Sequence, residues 1–278
     1  MKSIKDIEEL RNIQLDILRY IHKICDENNL TYFLAGGTLL GAVRHKGYIP
    51  WDDDIDIAMP RKDYYKLLKI IGSNSNNSFY GIKSFEVTEG YYYPFAKLVD
   101  TRTKVDETEV KDIEGLGINI DIFILDGLKN TFNGSYRCFK VIRLLRHMAF
   151  MSSKKIGIRT SRGTNIKTKM KIAIGFPYLI VCKFIGSKNI NKLLSKFASR
   201  NDFDTSKYIA SATGGRYGKR EILLQEYFSS TCNLEFEGEV FKAPIGYHEY
   251  LASLYGDYMK LPPKEKQQSH HSFKAWWI

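Results

Sequence analysis

The stretch GYIPWDDDIDIAMP, residues 47–60, sets four carboxylates within five positions, Asp52, Asp53, Asp54 and Asp56, and then closes apolar residues around the last of them. Like charges this close repel, and burying them unpaired is costly. A fold of this chain either leaves this segment as a solvated acidic turn or brings positive charge to it. DIDIAMP alternates and reads as a strand, in which residues two apart share a face. Asp54 and Asp56 then project together while Ile55 and Ile57 enter the core. Two carboxylates side by side on a rigid strand suit a hard divalent cation, Mg²⁺ or Mn²⁺, which takes oxygen ligands and keeps several waters. An EF-hand calcium loop does not fit, because its spacing and closing Glu are absent.

A further acid sits in INIDIFILDG, where Asp121 lies between Ile120 and Ile122 in a strand otherwise apolar on both faces. A lone acid there is either functional or paired with a structural Arg. If its strand lies beside that of Asp54 and Asp56, three carboxylates converge, enough to hold one or two metal ions and stabilise a transferring phosphoryl group. Upstream, LAGGTLLGAVRHKG places a Gly-Gly turn, Gly36 and Gly37, between a strand and a helix. Such a turn lets backbone approach a ligand, and the following helix N-terminus attracts anions. Thr38 is positioned to cap that helix and touch a phosphate. At its far end, Arg44 is assigned to the site; His45 and Lys46 read as a basic, exposed helix end. The later loop GGRYGKRE reads either as a phosphate grip through Arg216 and Lys219 or as a Gly-rich surface turn.

These motifs together carry a resemblance. The order of Gly-Gly, Asp-x-Asp and a later apolar-flanked Asp is similar to the nucleotidyltransferase fold superfamily. GGTLLGAVRHKGYIPWDDDIDIAM followed by NIDIFILDG resembles the LicD family of phosphotransferases, as do FEGEVFKAP, YLASLYGDYMKLPP and the His pair near the C-terminus. The resemblance covers about residues 10–126 and 207–271. It implies an α/β (α+β) fold with a mixed sheet and flanking helices. It also implies metal-dependent transfer of a phospho-substituent such as phosphocholine from a CDP-linked donor, CDP-choline for example, to a hydroxyl of a cell-surface glycan (teichoic acid, lipopolysaccharide or capsule), with CMP released. By motif position, Asp54 and Asp56 become metal ligands and Asp121 a third ligand or the base. Gly36, Gly37 and Thr38 face the donor phosphates, and His270 and His271 complete the site from the tail. Trp51 and Tyr91, Tyr92 and Tyr93 offer an aromatic cage for a quaternary ammonium, although core packing explains them equally. A nucleotidyltransferase releasing pyrophosphate is the enzymatic alternative.

Charge divides the chain further. Between Gly127 and Asn201 there are 17 Lys and Arg and no Asp or Glu, whereas the remainder holds 25 basic and all 31 acidic residues. Apolar residues run through the basic block, which favours an amphipathic contact with an anionic membrane surface and suits a lipid-linked acceptor. A nucleic-acid binder using this block is the reading from another class; the enzyme reading expects no nucleic acid. The four scattered cysteines form no CxxC pair, MKSIKDIEEL does not read as a signal peptide, and KIAIGFPYLIVCKFIG, broken by Gly175, Pro177 and Lys183, is not expected to span a membrane. The expected location is cytoplasmic, at the inner face of the membrane. Three parts are expected: a catalytic core over 1–128, a basic helical insertion over 129–205, and a segment over 206–278 completing the cleft. Periodicity predicts helices over 3–27, 38–46, 61–72 and 246–259. Strands are predicted over 31–35, 54–59, 79–87, 92–99, 118–124 and 207–213, and a hairpin turning at Glu237-Gly238.

Overall fold

A computed structural model describes residues 2–73, 79–107, 111–155, 166–268 and 273–278. The chain starts with a short strand, β1 (Lys2–Ile4), and enters helix α1 (Ile7–Glu27). Asp6 caps α1 by accepting the Glu8 N–H at 3.0 Å, which is why the helix predicted from residue 3 starts later. Leu10, Ile13, Ile17, Leu18, Ile21 and Ile24 form its buried face. Next come β2 (Phe33–Leu34), α2 (Gly36–His45), β3 (Asp56–Pro60) and α3 (Arg61–Ser73). Pro60 is the last residue of β3, and α3 begins directly after it. Four strands follow: β4 (Tyr80–Lys83), β5 (Ala96–Asp100), β6 (Thr103–Glu107) and β7 (Asn119–Gly127).

The basic block forms α4 (Phe132–Ser153), α5 (Ile166–Ile185) and α6 (Ser187–Ala198). Thr131 caps α4 by accepting the Gly134 N–H at 3.3 Å. The chain then forms β8 (Tyr208–Ala210), β9 (Leu223–Leu224), the hairpin β10 (Thr231–Phe236) and β11 (Glu239–Pro244), α7 (Tyr247–Tyr255) and β12 (Phe273–Trp277). The hairpin turns at Glu237 and Gly238, with φ of 52° and 77°, a two-residue turn of the kind that matches strand twist. The predicted loops over 73–78 and 152–165 lie largely outside the described residues.

The main sheet runs β2-β3-β7-β5-β4, with β8 beside the end of β7 and β9 beside β8. β3 and β7 are parallel, and their outer neighbours pair antiparallel, so the α/β class with a mixed sheet holds. A second sheet, β1-β12-β6, joins both ends of the chain to its middle and was not foreseen in the sequence. Ile17, Leu39, Leu67 and Ile122 share one core with Phe236 and Leu251 from the hairpin and α7. A smaller cluster packs Phe139 and Ile142 of α4 on Leu194 of α6 and Ala210 of β8. Among the described residues no helix is long and apolar enough to cross a membrane.

Candidate active site

The parallel pairing of β3 with β7 sets Asp56 directly opposite Asp121. On the other side of β7, Lys97 of β5 is the residue opposite Asp121. Acid, acid and base thus form a row across three adjacent strands, and Lys97 Nζ donates to Asp121 Oδ1 at 2.6 Å. Residues alternating with these acids, Ile55, Ile57, Ile120 and Ile122, are fully buried and fix the register. The partner of Asp121 is therefore a lysine, not the structural arginine that the sequence left open. Lys97 was missed, although it stands alone among Ala96, Leu98 and Val99, the same signal that singled out Asp121.

Asp54 and Asp52 reach the same place from the segment before β3. That segment is held by α1 through its backbone: Arg11 Nη2 donates to the carbonyls of Ile49, Pro50 and Asp52 at 3.1, 3.1 and 2.7 Å. Gln14 Nε2 donates to the Asp53 carbonyl at 3.0 Å. Carboxylate oxygens of Asp52, Asp53 and Asp54 come within 4.8 Å of one another among the described residues. The Asp56 carboxyl is held well above the usual range, first by burial and then by the charges of Asp54, Asp121 and Asp52, while Lys97 pulls it down. Such an excess of negative charge on hard oxygen donors fits a divalent cation.

The Gly-Gly turn closes on these acids. Gly36 has φ +53°, and a Cβ there would lie 3.2 Å from Asp56 Oδ2; one on Gly37 would lie 2.5 Å from Asp52 Oδ2. Both glycines therefore leave room that a side chain would fill. Thr38 behaves differently from expectation. Ala35 occupies the cap position of α2, and the buried Thr38 hydroxyl accepts the Asp56 N–H at 2.8 Å, so it orients the strand instead of capping. Tyr250 of α7 accepts the Gly36 N–H at 3.2 Å, which ties the C-terminal segment to the turn.

A cavity of about 1100 Å³ opens above this row, and Gly36, Gly37, Arg44, Asp54, Asp56, Asp121 and Arg216 all line it. Thr38 and Lys219 do not, and His270 and His271 lie outside the described residues. Arg44 Nη1 donates to the Tyr258 carbonyl at 2.8 Å. Trp51, Tyr92, Tyr93, Phe95 and Tyr255 line the aromatic side of the cavity and Tyr91 does not, although Tyr91 and Tyr92 are both buried in one core cluster against which Tyr93 packs. Arg143, Arg146 and Glu221 also line the cavity and were not singled out from the sequence.

A profile of the LicD/FKTN/FKRP nucleotidyltransferase domain matches residues 29–134, the stretch that runs from β2 to the start of α4 and holds every acid in the row. The chain is 33% identical over 271 residues, 97% of each protein, to the lipopolysaccharide cholinephosphotransferase LicD of Haemophilus influenzae. The chain belongs to the LicD family. As a LicD protein it is a transferase of substituted phosphate groups. More distant similarity, 34% over 59 residues, links it to the ribitol 5-phosphate transferase FKRP of Mus musculus and of Homo sapiens, covering 12% of those proteins. The LicD profile ends three residues into α4, so the basic helices fall almost wholly beyond it.

Proposed function

We propose that this LicD protein moves a phosphocholine-like group from a CDP-linked donor, such as CDP-choline, to a hydroxyl of a cell-surface glycan (lipopolysaccharide, teichoic acid or capsule), releasing CMP. The observation that carries this is the in-register pair Asp56 and Asp121 beside a glycine turn in one large cavity. The H. influenzae relative, named for choline phosphate transfer to lipopolysaccharide, supports both the transferred group and the acceptor class. The aromatic wall suits a quaternary ammonium.

Asp54, Asp56 and Asp121 would hold Mg²⁺ or Mn²⁺, with Asp52 alongside; a bound divalent ion supplies charge neutralisation on the diphosphate and on departing CMP. Gly36 and Gly37 let the donor phosphates approach the backbone. The acceptor oxygen forms a bond to the phosphorus nearer the choline, the bond from that phosphorus to the CMP oxygen breaks in line, and the acceptor proton passes to Asp121 or a neighbouring group. Lys97 holds Asp121 in position for either role. Arg44, Arg216, His270 and His271 remain proposed contacts of the substrate. With Mg²⁺ present, Asp54→Asn and Asp121→Asn should each lower turnover about 100-fold or more. Near-wild-type turnover in either variant refutes the assignment, and release of pyrophosphate in place of CMP would make the protein a nucleotidyltransferase. A thermal-shift screen of CDP-choline, CDP-ribitol, CDP-glycerol and CDP-ethanolamine identifies the donor.

The proposed division assigns catalysis to residues 1–128, a membrane-surface contact to the basic helices over 129–205, and completion of the cleft to 206–278. On α5, Phe176, Ile180 and Phe184 follow at four-residue spacing and are exposed, Phe184 at 94%. Apolar side chains on a block of 17 basic residues without an acid support docking on an anionic leaflet from the cytoplasmic side.

A further inference from the structure

One side of the cavity carries the opposite charge from the aspartate row. Arg143 and Arg146 of α4 line it together with Arg216 and the acid Glu221. Arg146 Nη1 donates to the Thr213 carbonyl at 3.4 Å, and Arg146 itself lies within electrostatic reach of Glu221, Arg143 and Arg216. Glu221 is 5% exposed; its Oε1 accepts the Tyr217 N–H, and its Oε2 is buried without a hydrogen-bond partner among the described residues. Gly215 makes this packing possible, since a Cβ there would fall 1.1 Å from Glu221 Oε2. Ser211 and Thr213 are among the residues lining the cavity, and their hydroxyl oxygens are buried without a hydrogen-bond partner among the described residues.

Three guanidinium groups and one carboxylate thus line the same part of the cavity with no ion pair within 4.0 Å between them among the described residues, and two hydroxyls there have no hydrogen-bond partner among those residues. Burial disfavours the charged form of both Arg146 and Glu221, so the corner gains little from neutralising itself. An anion with several acceptor oxygens would satisfy the hydroxyls and the forks of the arginines together. The corner is joined to the chemistry by packing: a Cβ on Gly214 would fall 2.2 Å from the Phe123 ring, and Phe123 shares a strand face with Asp121.

We propose that Arg143, Arg146 and Arg216, with the hydroxyls of Ser211 and Thr213, form a phosphate-binding subsite separate from the aspartate row. It takes a phosphate of the substrate that no metal chelates, either the nucleotide phosphate of the donor or a phosphate ester on the acceptor glycan. The inference rests on the transferase reading only for the identity of the ligand. The helical insertion thereby contributes directly to substrate recognition.

Calorimetric titration in EDTA, with CMP and with glycerol 3-phosphate as separate probes, tests the subsite without a metal. Arg143 is exposed, so Arg143→Met leaves the fold intact even if Arg146→Met does not. Each variant should bind at least one probe about tenfold more weakly than wild type. Asp54→Asn, which removes a carboxylate and no part of the subsite, should not bind it more weakly. Loss for CMP assigns the subsite to the donor; loss for glycerol 3-phosphate assigns it to the acceptor. Wild-type affinity in Arg143→Met and folded Arg146→Met, or no binding of either probe to wild-type protein at millimolar concentration, overturns the proposal. Undiminished turnover of Asp54→Asn would overturn the transferase mechanism instead and leave the subsite to be judged by the titrations.

Discussion

Lys97 and Asp121 make the pair on which the site's electrostatics turn. With Nζ 2.6 Å from Oδ1 and the lysine 8% exposed, the ammonium offsets part of the charge gathered around Asp56. Removing one member of this partly buried pair leaves the other uncompensated, at a cost below the roughly 3–5 kcal/mol of a fully buried one. Lys97→Met should therefore lower the melting temperature in EDTA, and millimolar Mg²⁺ should restore more of it than it adds to wild type. An equal Mg²⁺ increment in both proteins would argue against a cation among these acids. Glu221 gives a second residue-scale prediction. Burial raises its carboxyl from an ordinary 4.5 to about 7. The folded state then binds a proton that the unfolded state has released, so stability is present below pH 4.5 and is lost as pH rises toward about 7. Glu221→Gln should flatten that decline, on the order of 2–3 kcal/mol, in denaturant titrations across the window. Lys97 carried a sequence signal, a lone charge in an apolar run, whereas Glu221 did not stand out in the amino-acid string; the partners of both come from other segments.

At the scale of elements, α1 works at a distance. It lines none of the cavity, yet Arg11 and Gln14 hold the backbone that presents Asp52 to Asp54. Arg11→Ala should keep the helical signal and lower kcat/KM about tenfold, because a loop free to drift spoils alignment of the reacting groups. An unchanged kcat/KM would mean that the strand alone fixes the aspartates. The periodic elements were legible: the apolar stripe of α1, the alternation of β3 and the turn at Glu237-Gly238 each state their structure locally. Asp121 was legible as an anomaly, and its neighbour strand followed once β3 and β7 were paired. The sheet β1-β12-β6 was not, since its strands are three to five residues long and come from the start, middle and end of the chain. The role of Thr38 was misread because hydroxyls near a helix start favour caps, while here the competing partner, the Asp56 N–H, arrives from another strand.

For the whole molecule, charge and apolar surface separate by region. The aspartate row lies in the stretch matched by the LicD profile, and the exposed phenylalanines of α5 lie beyond it. Phe176→Glu combined with Phe184→Glu should abolish sedimentation with vesicles of anionic lipid at low salt, while donor-induced thermal shifts persist. Wild-type sedimentation in the double variant, or none in wild type, would remove membrane docking from the proposal. The pairing of β3 with β7 has one more outcome. Parallel neighbours need a long crossover, so Asp56 waits for Asp121 until most of the intervening chain has left the ribosome. A nascent or truncated polypeptide ending short of β7 lacks Asp121 and carries only part of the acidic row.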